Sequence, residues 1–180
     1  MTYFTEDETR RILEVAYAKN RKHHAFLVTH LVHATRVAEA CGITARDVDT
    51  TDNSLRIMRL KKGGAQYQPM LLSDDPIFSE SGLLQLAKER PVGRLFGFTP
   101  RRVNQFLHEY CEAAGVPRRK AHSHSFRHTT AMRIFETTGS LGQVSSYLAH
   151  RSPASSLSYL AEVDHKKAQV TVAGIFGRVA

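Results

Sequence analysis

One stretch of this sequence constrains the fold more than any other. Leu55-Arg-Ile-Met-Arg-Leu60 has strand character, Lys62-Gly63-Gly64-Ala65 reads as a turn, and Gln66 to Leu72 reads as a returning strand. Pro69 cannot donate to a sheet ladder, so the return strand belongs at an edge. On both sides of this hairpin the apolar residues keep a helical rhythm. Thr5-Glu-Asp-Glu8 is a capping box, followed by the stripe Ile12, Leu13, Val15, Ala16. A second apolar segment runs from Ala25 to Ala40 and stops at Gly42. Thr99-Pro100 predicts an N-cap and first helical turn, with Val103, Phe106, Leu107, Tyr110, Cys111 and Ala114 on one face, ended by Gly115 and Pro117. Further helices are predicted from about Phe126 to Thr138, from Leu141 to Ala149 behind a Ser140 cap, and from Ser152-Pro153 to Tyr159. Val172, Ile175, Phe176 and Val179 fit either a short apolar helix or an arm needing another surface. The expected class is mainly α with one small antiparallel hairpin. No repeat or linker divides the 180 residues, so the expectation is a single domain.

Charge narrows the function. Lys and Arg total 25 against 17 Asp and Glu, a net +8. Nine basic and three acidic residues fall between Lys88 and His128, interleaved with apolar residues as on a folded surface. Such a field favours a polyanion: DNA, RNA or an anionic membrane. Two cysteines, Cys41 and Cys111, make no disulfide framework, and no apolar run approaches the length of a membrane span. The opening MTYFTEDETRR places acids where a signal peptide carries basic and apolar residues. These features predict a reduced, cytoplasmic chain with no membrane partner.

The chemistry lies in the C-terminal half. His124-Ser-Phe-Arg127-His128-Thr129 places an imidazole and a guanidinium three residues apart on one side of a helix start. His150 follows, with Tyr159 nine residues beyond it. A guanidinium grips two phosphate oxygens. With imidazoles and a phenol beside it, a phosphodiester would complete a nucleophilic phosphoryl-transfer site. A blander reading makes His122, His124 and His128 a chance cluster or metal ligands. There is no H-E-x-x-H or paired-cysteine motif, so metal and cofactor are both expected to be absent.

These boxes resemble the tyrosine recombinase, or phage integrase, family. Its H-x-x-R-H-T box stands as His124 to Thr129, and its L-G-H and tyrosine as Leu148-Ala149-His150 and Tyr159. Its arginine box, T-G-x-R-x-x-E, stands as Ala34-Thr35-Arg36-Val37-Ala38-Glu39, with Asp47-Val48-Asp49 after it. Alanine replaces the family glycine before Arg36 and again at Ala149. The resemblance covers nearly the whole chain and implies roles. Arg36 and Arg127 bind the scissile phosphate. Lys61, or Lys62 if the hairpin register slips, protonates the departing 5′ oxygen. His124 moves a proton at the Tyr159 hydroxyl, His150 bonds the phosphate, and Tyr159 forms a 3′-phosphotyrosyl bond. Glu39 orients the site without reacting. Lys62, Arg101, Arg102, Arg118, Arg119, Lys120 and Arg151 are expected on the DNA surface.

The implied partner is double-stranded DNA, with a homotetramer on paired sites and a monomer when free, in the nucleoid of a bacterium or in a phage. The N-terminal core-binding half of the family's clamp is expected to be absent, as in the compact fimbrial invertases, whose R-L-K-K-G and Y-L-G-H-R stretches are similar. The segment 160–180 is expected to pack in trans or on its own chain. Two rival readings are a catalytically silent DNA-binding module and a nicking-closing enzyme of the topoisomerase IB kind.

Overall fold

The computed structural model describes residues 2–60 and 64–150, with Leu157, Tyr159 and Ala161 beyond them. Among the described residues, seven α-helices with defined bounds surround one small sheet. The first, α1 (Glu6–Lys19), starts at the predicted capping box: Glu8 N–H donates to Thr5 Oγ1 and Thr5 N–H to Glu8 Oε2. Ile12, Leu13 and Ala16 are buried from its apolar face. Helix α2 (Arg21–Val32) is buried at nine successive residues, His23 to Leu31. It contacts α1, α3 (Val37–Gly42), α4 (Ser81–Glu89) and α6 (Ser123–Thr138), so it is the axis of the domain. A helix enclosed all round has no polar face to spare, and its histidines are satisfied internally. His23 Nδ1 meets Tyr110 Oη at 2.6 Å, and His24 Nε2 donates to Ile77 O at 2.9 Å.

The apolar segment predicted from Ala25 to Ala40 is not one helix. It breaks after Val32, turns through Ala34 at φ 46°, and restarts at Val37. The break is what lifts Arg36 out of helix geometry. Helix α4 gave no signal strong enough to be predicted.

The hairpin is present as β2 (Ser54–Arg59) and β3 (Gly64–Pro69), with Ser54 opposite Pro69 and Arg59 opposite Gly64. A two-residue strand, β1 (Val48–Asp49), extends the sheet in the order β1-β2-β3, all antiparallel. Pro69 therefore lies on an edge strand, as its missing N–H requires. Helix α5 (Pro100–Ala113) begins at Thr99, whose Oγ1 accepts from Arg102 N–H, and the turn after it uses Gly115 at φ 65°. Helix α6 starts at Ser123, three residues before the predicted start, and closes on Gly139 at φ 65°. Helix α7 (Leu141–Tyr147) starts at the Ser140 cap.

Among the described residues, two apolar clusters result. The larger unites α1, α2, α4 and α5 around Phe26, Phe96 and Phe106. The smaller comprises Ala34, Ala131, Met132, Phe135, Val144, Leu148 and Tyr159. Cys41 and Cys111 are free and buried. Among the described residues no helix is long and apolar enough to cross a membrane.

Candidate active site

Arg36 caps the N-terminus of α3, where helical N–H groups are unpaired. Glu39, one turn on, reaches back to both its backbone and its side chain: Arg36 N–H donates to Oε2 at 2.8 Å and Nη1 to Oε1 at 2.7 Å. The same carboxylate takes Arg59 Nη1 at 3.1 Å and the Leu60 N–H at 3.2 Å. Burial would raise Glu39, but the Arg36 donors and the Arg59 charge outweigh it and hold the carboxyl below its ordinary range. The ionised form is the one these four donors need.

Arg59 is the cation enclosed by this arrangement. Its side chain and that of Glu39 are both fully buried. Its other donors go to Gln66 Oε1, His33 O and Tyr147 O at 2.8, 3.2 and 3.1 Å. One guanidinium thus joins the end of α2, α3, both hairpin strands and the end of α7. Nearby, His33 sits at 2.7 Å from Gln68 Oε1 and 3.0 Å from Glu80 Oε1, tying β3 to α2 and to the start of α4.

Arg127, on the first turns of α6, is 3 % exposed. Its Nη1 donates to Ala34 O and its Nη2 to Leu148 O, the latter at 2.7 Å. Those carbonyls lie two residues before Arg36 and two before His150. Arg127 therefore holds the turn of the arginine box and the turn of the L-A-H box at one point. Burial, then the Arg36 charge, lowers its pKa to about 10, so it stays cationic at neutral pH. Three of its five N–H donors remain after the two carbonyls are served.

Three imidazoles surround it. His124 is exposed, and burial of part of its ring and the Arg127 charge shift it downward. His150 is half-buried and lowered to about 4, by burial and then by Arg127 and Arg36. His128 is lowered to about 4 by burial, then by His124 and Arg127. All three are neutral at pH 7. Tyr159, 2 % exposed, lies in the smaller apolar cluster, with its hydroxyl 3.0 Å from His128 Nδ1. Burial raises the phenol and Arg127 opposes it. Guanidinium, imidazole and phenol groups from four separate parts of the chain thus share one electrostatic neighbourhood centred on Arg127.

The family model described as "Phage integrase family" matches residues 2–166. The chain belongs to the phage integrase family. It is similar to tyrosine recombinase XerD of Caulobacter vibrioides, 27% identical over 175 residues, covering 85% of this chain and 55% of that protein. The fold matches the catalytic domain of bacteriophage HP1 integrase, with a TM-score of 0.66 at 19% identity over 89% of this chain and 88% of that one. It also matches XerA recombinase, TM-score 0.73 at 20% identity over 93% and 64%. A third match is XerH site-specific recombinase bound to its difH substrate before cleavage, TM-score 0.71 at 20% identity over 88% and 50%. The chain spans about half the length of the XerD and XerH proteins it matches. The fold is therefore that of the tyrosine recombinase catalytic domain: mainly helical, with a small antiparallel sheet.

Of the family boxes predicted from sequence, the structure brings Arg36, Glu39, His124, Arg127, His150 and Tyr159 together. Lys61, Lys62, Arg151 and nearly all of the segment 160–180 lie outside the described residues. One pairing differs from expectation. The Tyr159 hydroxyl meets His128, which lies one turn beyond the expected His124 along α6. One surface residue differs too. Lys120 is committed to Glu8, with Nζ at 2.8 and 2.7 Å from the two carboxylate oxygens, so its charge is spent within the fold. Arg101, Arg102, Arg118 and Arg119 are exposed. Arg59 went unpredicted as a site residue. Its place inside an otherwise alternating strand was the available signal, since an arginine on the inward face needs a buried carboxylate.

Proposed function

We propose that this chain is the catalytic domain of a site-specific DNA recombinase that cleaves and rejoins strands through a 3′-phosphotyrosine. The observation carrying this reading is Arg127 bridging Ala34 O and Leu148 O, which sets Arg36, His150 and the Tyr159 phenol around one guanidinium. Two cations beside a nucleophile stabilise the charge that develops on a phosphorane, and dry surroundings strengthen that effect. Tyr159 Oη attacks the phosphorus and the 5′ oxygen leaves. Lys61 supplies its proton, with Lys62 as the other candidate. The hairpin root is held by Glu39 and Arg59 at Leu60, the residue before Lys61. Each step exchanges one phosphoester for another, so bond energy is retained and the reverse reaction seals the strand. His150 hydrogen-bonds the phosphate, and Glu39 acts by fixing Arg36.

DNA is the partner, held by phosphate contacts from Arg101, Arg102, Arg118 and Arg119 with Lys62 and Arg151. The working assembly is a tetramer on two duplexes, with 160–180 reaching a neighbour. The related XerH and lambda integrase were solved on DNA, the latter as a tetramer on a Holliday junction, which supports this reading by kinship.

The test is covalent trapping. Mixed with fragmented DNA carrying random nicks and denatured in SDS, the chain is expected to retain DNA, and Tyr159→Phe to retain none. Equal adduct from Tyr159→Phe would remove the phenol as nucleophile. Absence of adduct from the unmodified chain, with DNA binding intact, would leave a binding module. Sequencing the trapped DNA separates a recombinase, enriched at inverted repeats, from a nicking-closing enzyme without site preference.

A further inference from the structure

Building on that reading, we infer that His128, rather than His124, is the group that exchanges the proton of the Tyr159 hydroxyl. The reacting atom itself carries the inference: Tyr159 Oη stands 3.0 Å from His128 Nδ1, within the reach a general base requires. The two rings lie with centroids 5.9 Å apart. His124 comes next in the line, perpendicular to His128 at 5.5 Å between centroids. His128 is therefore in ring contact with both His124 and the phenol. His124 is also exposed, where a phosphate contact suits it better.

Protonation states agree with this order. A phenol donates to a ring nitrogen only if that nitrogen is bare, and His128 is neutral at pH 7. Besides burial, His124, Arg127 and His122 are among the groups that keep it neutral. A bound phosphodiester offsets the Arg127 charge, and so makes His128 more basic at the moment the nucleophile must lose its proton. The step balances simply. Oη forms a bond to phosphorus as its O–H bond breaks, and that proton passes to Nδ1. The P–O5′ bond breaks, and the 5′ oxygen takes its proton from the separate acid on the hairpin. In rejoining, the His128 imidazolium returns its proton to the departing phenolate.

The experiment uses the DNA site recovered by trapping, resynthesised as a nicked duplex with an ordinary scissile phosphate or with a 5′-bridging phosphorothiolate. A thiolate leaves without a proton, so the sulfur substrate removes the need for the hairpin acid but not for a base at the phenol. His128→Gln keeps an acceptor for the phenol but cannot hold its proton. Single-turnover cleavage by this variant is expected to fall about 10²-fold or more on both substrates, with melting temperature and DNA affinity unchanged. Lys61→Ala is expected to fall on the oxygen substrate and recover on the sulfur one. Cleavage by His128→Gln within about threefold of the unmodified chain would overturn the inference. So would recovery on the sulfur substrate, which would move His128 to the leaving-group side. An increase in cleavage would make His128 a latch on a stored phenol instead. Failure of the unmodified chain to form any adduct in the initial trapping would refute the recombinase reading itself, a result distinct from each of these.

Discussion

Ala34 and Ala149 occupy the two positions where the family has glycine, and both adopt left-handed backbone, at φ 46° and 48°. Both are the second residue past a helix, directly after its C-cap. Ala149 ends α7 in a Schellman pair, its N–H bonding Ser146 O and the His150 N–H bonding Ser145 O. Ala34 ends α2 with its N–H on Leu31 O. A β-carbon in this conformation costs about 1–2 kcal/mol. Glycine removes that cost but adds about 0.4–1 kcal/mol of freedom to the unfolded chain. At Ala149, which is half-buried and outside both apolar clusters, the balance favours glycine by about 0.5–1 kcal/mol. At Ala34 the methyl is fully buried in the cluster around Tyr159, and its removal costs about 0.8 kcal/mol more. The two substitutions should therefore diverge although their backbone angles match. In thermal unfolding by circular dichroism, Ala149→Gly is expected to raise Tm by about 1–4 °C and Ala34→Gly to leave it within about 2 °C. A fall in Tm for Ala149→Gly, or equal rises at both sites, would refute the separation of strain from packing.

The other predictions concern buried and surface charge. Arg59→Met should cost about 3–5 kcal/mol in urea unfolding, because Glu39 loses a partner where no water reaches it and three acceptors are orphaned; a loss below about 1 kcal/mol would show that Glu39 is supported by Arg36 and Leu60 alone. His30 is fully enclosed, accepting from Thr35 Oγ1 and donating to Ser123 O, and burial lowers it to about 4. The unfolded chain then binds a proton that the folded one refuses, so stability should fall as pH drops from about 6.5 to about 4, by about 3 kcal/mol from this residue. Urea midpoints across that range should flatten in His30→Gln, and an unchanged slope would remove His30 as the source. For DNA affinity against salt, Arg118→Ala with Arg119→Ala should reduce the log–log slope by about 2, whereas Lys120→Ala should leave it unchanged because Glu8 already neutralises Lys120; a lower slope for Lys120→Ala would mean that the ion pair opens on DNA.

Much of this molecule depends on interactions within four residues, and those were legible in the sequence. The Thr5–Glu8 capping box, the Thr99-Pro100 start, the Gly139 and Gly115 ends and the Pro69 edge strand each state a local requirement that only a few residue types meet. The family boxes were legible for a related reason: their chemistry demands arginine, histidine and tyrosine at set spacings along a helix and its flanking turns. What escaped were the long-range partners. Nothing near Ala34 announces that a run of apolar residues must stop there, since the turn is stabilised by Arg127, 93 residues away. Arg59 had no assigned role until folding placed Glu39 beside it. Lys120 looked like a DNA contact until α1 brought Glu8 to it. His128 and His124 are equivalent as letters, four residues apart on one helix. Only the packing of Tyr159 against Met132, Leu148 and Ala34 decides which of them meets the phenol, because a buried hydroxyl bonds whichever acceptor the core leaves within reach.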